Sequence, residues 1–264
     1  MNPVSVNPMA VVDLPLPEQV ALLVGRDADH FGLSAEACAD YGWQNALDLV
    51  TDVGPTLRYL CHGPVARADD DGAWSEELDL LYRAVDFAAQ AGATTVYFTS
   101  GNQGKLLWEE AAERVAARLA PLADHGAQRG VRVAIENSLS IRSDISFTHT
   151  VRDAAALAAM AGASLCVDLY CCWGEAGLAR TLSSNLDRIA MVQVSDMASG
   201  DLALPNRRVP GEGDLPVAAL LQVVRDLGYQ GLLDVELIGP EIDRVGPAAA
   251  LDRALGWLRR TWPE

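Results

Sequence analysis

Residues 94–137 read TTVYFTSGNQGKLLWEEAAERVAARLAPLADHGAQRGVRVAIEN, and this stretch decides the fold. It opens on an apolar, β-rich run (TTVYFTS, 94–100), passes through a long segment of helical character, and closes on a second β-rich run (VRVAIEN, 131–137). Strand, helix and strand in that order imply a parallel pair joined by a right-handed crossover. The unit recurs in both directions along the chain. Further strands are expected at LRYLCH (57–62), SLCVDLY (164–170), IAMVQVSD (189–196) and LLDVELI (232–238), separated by helical segments such as SEELDLLYRAVDFAAQAG and VRDAAALAAMAG. Ser75, Thr150 and Asp214 (just ahead of Pro216) are the expected helix caps. Fainter strands are expected within VSVNPMAVV (4–12) and at HFGLS (30–34), while VALLVG (20–25) reads as helix or strand.

Eight such units would fill the 264 residues. No GxGxxG and no P-loop follows any strand, which favours a closed (β/α)8 barrel over an open doubly wound sheet. No linker, low-complexity run or block of charge divides the chain, so residues 1–264 read as a single α/β domain.

The formal charge of −16 opposes binding to phosphate backbones or anionic membranes, so neither nucleic acid nor membrane is an expected partner. The five cysteines (38, 61, 166, 171 and 172) are odd in number and lack paired spacing, which points to a reducing compartment rather than a disulfide framework. No CxxC pair suggests structural zinc. No basic residue precedes Arg26 and no apolar run is long enough to span a bilayer, so a cytoplasmic location is expected.

In a barrel of this kind, functional groups gather where strands end and loops begin. Four expected strands deliver an acid or an amide there: Glu136 after inward-facing Ala134, Asp168 after Cys166, Gln193 after Met191, and Glu236 after Asp234. Three carboxylates converging at one rim repel each other and call for a cation, unless each pairs with an arginine or caps a neighbouring loop. Their oxygen-rich donor set suits Mn2+ or Mg2+ more than Zn2+. His62, ending LRYLCH, faces the same opening or plays a structural role, and His30 is a similar candidate. His149, beyond the Glu136 strand, is a candidate acid/base group. Lys105, the only lysine, reaches the pocket or is simply solvated. In NRRVPGEGD (206–214), Arg207 or Arg208 and the backbone N–H groups of a rigid turn could hold substrate oxygens.

The succession AIEN, VDLY, VQVSD, RRVPGEGD and DVELIGP resembles the xylose-isomerase-like TIM barrels, the sugar phosphate isomerase/epimerase superfamily. The resemblance runs from about residue 17 onward and is strongest from 131 to 240. It implies a metal site built from Glu136, Asp168, Gln193 and Glu236. Gln193 is a departure, because the usual motif there is vHxxD. A second departure is Cys171, which stands where DxxH is common and where the histidine often contacts substrate. The turn matches RxxPGxG at Arg207, Pro210, Gly211 and Gly213.

The resemblance further implies proton transfer next to a carbonyl, with Glu136 and Glu236 as the acid/base pair and a divalent ion stabilising an enediolate. A metal-dependent isomerase or epimerase of a sugar or related polyhydroxy ketone is the leading reading, with a homo-oligomer possible. A lyase or dehydratase would use the same site, with His149 or His62 as the extra acid/base group. A non-catalytic binding barrel is the third reading. The acidic charge disfavours the DNA-repair chemistry also found in the superfamily.

Overall fold

Alternation along the strands sorts side chains into two shells. In the computed structural model, which describes residues 2–262 apart from 52, 55 and 202, the strands are β1 (Val4–Val6), β2 (His30–Ser34), β3 (Thr56–Pro64), β4 (Thr95–Thr99), β5 (Arg132–Glu136), β6 (Ser164–Asp168), β7 (Ile189–Val194) and β8 (Leu232–Val235). Each pairs in parallel with the next, and β8 pairs with β1, so the sheet closes as a (β/α)8 TIM barrel. Outward residues such as Val96, Phe98, Val133, Ile135, Val192 and Val194 are buried beneath the helices. Inward residues Tyr59, Cys61, Tyr97, Ala134, Cys166, Met191 and Leu232 form a separate core inside the barrel. Both faintly patterned strands are present, at Val4–Val6 and His30–Ser34.

The segment VALLVG lies in the helix Leu16–Val24, whose inward face buries Leu16, Val20 and Leu23. Strand β6 is shorter than its apolar run because Asp168 ends it: the Asp168 carboxylate accepts the Tyr170 N–H at 3.0 Å and starts the short helix Leu169–Cys172. Thr150 caps the helix Val151–Ala161, with Asp153 returning the bond in a capping box. Ser75 does not cap. The helix Trp74–Gln90 starts one residue earlier, where the buried Trp74 indole donates to the Arg67 carbonyl at 2.9 Å. Asp214 is not a cap either, because its carboxylate accepts the Ser199 N–H at 2.7 Å and Pro216 precedes the helix Val217–Asp226.

The barrel interior has a polar layer just below its mouth. Asp234 is fully buried and accepts from Ser5 Oγ (2.5 Å), Tyr59 OH (2.8 Å) and Asn7 Nδ2 (2.9 Å). The Tyr97 hydroxyl accepts from Asn7 Nδ2 at 2.9 Å and from Gln193 Nε2 at 3.0 Å. Burial pushes the Asp234 carboxyl up to about 6, and the donors from Ser5, Asn7, Tyr59 and Gln193 limit the rise. A buried carboxylate with this many donors is satisfied and rigid. It forms the floor on which the mouth of the barrel is built.

Candidate active site

Strand register places the carboxylates. Cys166 on β6 pairs with Glu136 on β5, and Asp168 pairs with Gln193 on β7. Beyond the ladder, Asn137 continues the pairing with its side chain: Nδ2 donates to the Asp168 carbonyl at 3.1 Å, and Oδ1 accepts the Asp168 N–H at 3.0 Å. The Glu236 N–H donates to the Val194 carbonyl at 3.3 Å, holding Glu236 just past the end of β8. One carboxylate oxygen each from Glu136, Asp168 and Glu236 lies within 4.8 Å of the others, and all three residues are buried. Three separate strand ends therefore converge, as their spacing predicts.

Arg207 enters the middle of this group. Its guanidinium donates to Asp168 (Nη2–Oδ2 2.8 Å, Nη1–Oδ1 3.3 Å) and to Ser195 Oγ at 2.8 Å, and sits 3.2 Å from Glu236 Oε2. It also lies over the Tyr170 ring, 4.4 Å from the centroid. Local backbone explains its position. Asp196 and Arg208 exchange backbone hydrogen bonds at 3.0 and 2.7 Å, and the Arg207 N–H donates to the Ile238 carbonyl at 2.9 Å.

The turn that follows does not offer free N–H groups to a ligand, contrary to the sequence expectation. The Asp196 carboxylate accepts from Met197 (2.9 Å), Gly211 (3.0 Å), Gly213 (3.1 Å) and Leu215 (2.9 Å). A Cβ on Gly213 would fall 2.4 Å from Asp196 Oδ1, and Gly211 adopts φ +82° against the Trp257 ring. Both glycines are required by this closure.

Three carboxylates against one guanidinium leave two negative charges uncompensated when all are ionised. Burial, then Glu236 and Asp168, push Glu136 well above the ordinary carboxylate range. Burial also raises Glu236; Arg207 offsets part of the rise, and Asp168 and Asp234 add to it. Gln193 is fully buried between Asp168 and Asp234 in register, and its Oε1 has no hydrogen-bond donor. Two missing positive charges and an orphaned neutral oxygen fit a divalent cation taken up by Glu136, Asp168, Gln193 and Glu236.

A cavity of about 490 Å3 opens above this cluster and is lined by Glu136, Glu236, Arg207, Tyr170, Cys171 and His62, among others. The Cys171 thiol donates to Asp168 Oδ2 at 2.9 Å, and burial holds its pKa well up, so it acts as a neutral donor. His62 lies between two carboxylates that sequence reasoning missed. Its Nε2 bonds to Glu77, and Nδ1 approaches Glu36 at 2.7 Å as an ion pair off the donor axis. Burial opposes the charged ring, but Glu36 and Glu77 hold its pKa up to about 9. A protonated ring with both nitrogens engaged has no lone pair to act as a base. Glu36 follows the C-terminal end of β2, a placement readable only once HFGLS is accepted as a strand.

Three candidates fall outside the cavity. His30 begins β2, at the opposite end of the barrel, and bonds to Thr56 Oγ1 at 2.6 Å. Lys105 is exposed, held through its backbone N–H to Asp69 Oδ2 at 3.1 Å. His149 immediately precedes the Thr150 cap and does not line the cavity. His125 pairs with Asp86 at 2.7 Å on the outer helix layer.

The sequence profile of the xylose isomerase-like TIM barrel family matches residues 22–261. A fructoselysine 3-epimerase of Shigella flexneri is 24% identical over 202 residues, covering 74% of this chain and 70% of the relative. The apo structure of 3-keto-D-glucoside 4-epimerase from E. coli superposes with a TM-score of 0.79 at 19% identity, covering 98% of this chain and all of the other (100%). The structure of IolI with a zinc atom superposes with a TM-score of 0.81 at 15% identity, covering 98% and 97%. Among the described residues, no helix is long and apolar enough to cross a membrane.

Proposed function

The chain belongs to the xylose isomerase-like TIM barrel family, and we propose that it is a divalent-metal-dependent isomerase or epimerase of a sugar or related polyhydroxy ketone. The observation that carries this reading is the buried group Glu136, Asp168 and Glu236, closed around Arg207 at the mouth of the barrel. The relatives described as epimerases of fructoselysine and of a 3-keto-glucoside support the substrate class. A divalent ion held by Glu136, Asp168, Gln193 and Glu236 supplies Lewis-acid polarisation of a carbonyl when bound.

Glu136 comes from β5 and Glu236 from the end of β8, so their carboxyls enter the cavity from different sides. One removes a proton from the carbon next to the carbonyl, and the other returns a proton, to the opposite face of the same carbon in an epimerisation or to the neighbouring carbon in an isomerisation. Low solvent exposure (7% and 6%) keeps bulk water from competing for that proton. Arg207 aligns the Asp168 carboxylate through two hydrogen bonds, while the guanidinium is itself held by donation to Ser195 Oγ. The Tyr170 hydroxyl is buried without a partner and lines the cavity, so it is available to a substrate hydroxyl.

The test is incubation with ketoses and 3-keto-glycosides in D2O with Mn2+. Deuterium at the carbon next to the carbonyl of a recovered isomer is expected, with loss of exchange in Glu136→Gln and in Glu236→Gln. A dehydrated or cleaved product, or no exchange with any ketose, would overturn the assignment.

A further inference from the structure

The cavity above the carboxylates does not end at its apolar wall. Met9, Val12, Leu204, Pro205 and Ile238 line it and at the same time line a second lobe of about 700 Å3. That lobe is built from the segments following β1, β7 and β8, which are neighbours in the closed sheet. Beyond the shared wall it continues over Leu14, Leu22 and Pro240. Each lobe alone falls within the size that accommodates most of a drug-sized ligand. A free monosaccharide held at Glu136 and Glu236 would leave the second lobe as water against apolar walls.

The charges decide what can fill it. Among the described residues, the only charged ones lining the second lobe are Asp13 and Asp243. In the first lobe, Arg207 is committed to Asp168 and Glu236, and Arg142 forms a two-pronged pair with Asp144 (2.9 and 2.9 Å). No cation without a carboxylate partner lines the first lobe among the described residues, and none lines the second, so a phosphate or carboxylate tail in the second lobe would meet only Asp13 and Asp243. Resting on the reading of the carboxylate site as a sugar site, we propose that the substrate is a glycoside whose apolar, uncharged aglycone occupies the lobe over β1, β7 and β8.

The test uses a neutral fluorescent apolar probe, N-phenyl-1-naphthylamine, with the full-length protein loaded with Mn2+. The probe should bind, and Val12→Glu and Leu14→Glu should each weaken it at least tenfold; both positions are 37% exposed, so neither change is expected to block folding. A phenyl 3-keto-glucoside should displace the probe at a concentration at least tenfold lower than the methyl 3-keto-glucoside, since the ring is buried and the methyl group is not. Absence of probe binding, probe binding unchanged in both variants, displacement at equal concentrations, or displacement by neither glycoside would overturn the proposal. Solvent-deuterium exchange into small ketoses is read on the wild type and on Leu14→Glu, whose side chain lines only the second lobe. Failure of the aglycone lobe leaves that exchange intact, whereas failure of the sugar-isomerase reading abolishes it in every protein and leaves probe binding to be judged separately.

Discussion

Freed of divalent ions, the protein should lose stability steadily as pH rises from about 5 to about 8.5. Burial raises Glu136 and Glu236 above the ordinary carboxylate range; neighbouring carboxylates add to it, and Arg207 recovers part of the effect. For a group whose folded pKa is raised, stability is fully present below the unfolded value near 4.3 and is lost as pH climbs through the folded value. Each carboxyl that is protonated in the fold and ionised in the unfolded chain contributes a slope of about 1.4 kcal/mol per pH unit. Glu236, with its carboxyl pushed up to about 8, gives by itself a loss on the order of 4 kcal/mol over this window, a large fraction of a typical folding free energy, and Glu136 adds to it in the same direction. Urea midpoints measured with EDTA across the window would trace it. With the proposed metal site, saturating Mn2+ should restore stability most at the alkaline end, because its ligands would be the ionised carboxylates. The charge of −16 adds a background slope of its own, so the double variant Glu136→Gln/Glu236→Gln provides the baseline. If wild type and double variant follow parallel profiles, or if Mn2+ stabilises equally at both ends, the electrostatic account of the site is wrong.

Replacing Gln193 with His should shift metal preference toward Zn2+ in a competitive titration, because imidazole is the softer donor; an unchanged preference would assign Gln193 only to Tyr97 and Asp234 below. Asp196→Ala should cost about 2–4 kcal/mol in urea unfolding, since the N–H groups of Met197, Gly211, Gly213 and Leu215 lose their acceptor. The same variant should lower kcat/KM for solvent exchange, and wild-type kinetics would show that Arg207 does not depend on the turn. Glu77→Gln should bring the His62 titration, followed by NMR, down from about 9 toward the ordinary histidine range. The pair's contribution to stability, present below about 6.5 and lost as pH rises through about 9, should shrink with it.

The barrel and its carboxylates were legible because both depend on short-range pattern. Period-two alternation fixes which residues of VRVAIE or LLDVE face inward, and the end of the apolar run fixes which acid stands at the rim. What the sequence hid depends on partners far along the chain. His62 reads as a lone histidine until β2 and β3 pair and bring Glu36 beside it, while Glu77 arrives on the following helix. His30 looked equivalent to His62 only while the polarity of HFGLS went unused: a residue that begins a parallel strand lies at the end away from the mouth. Lys105 and His149 sit in loops whose direction is set by contacts to Asp69 and by the Thr150 cap. The turn N–H groups seemed free because their acceptor, Asp196, precedes Gly211 by 15 residues.

The run VQVSD joins these levels. Gln193 offers an oxygen at the site while its amide N–H is spent on Tyr97 below, Ser195 fixes the Arg207 guanidinium, and Asp196 closes the turn that carries Arg207 in. Three consecutive functions are divided among three side chains that do not share hydrogen bonds with one another. A change of donor at position 193 therefore alters the ligand set and the layer beneath it, but leaves the placement of Arg207, and through it of Asp168 and Glu236, untouched. That separation is why the donor at position 193 can be exchanged, as in Gln193→His, without the rest of the site being lost.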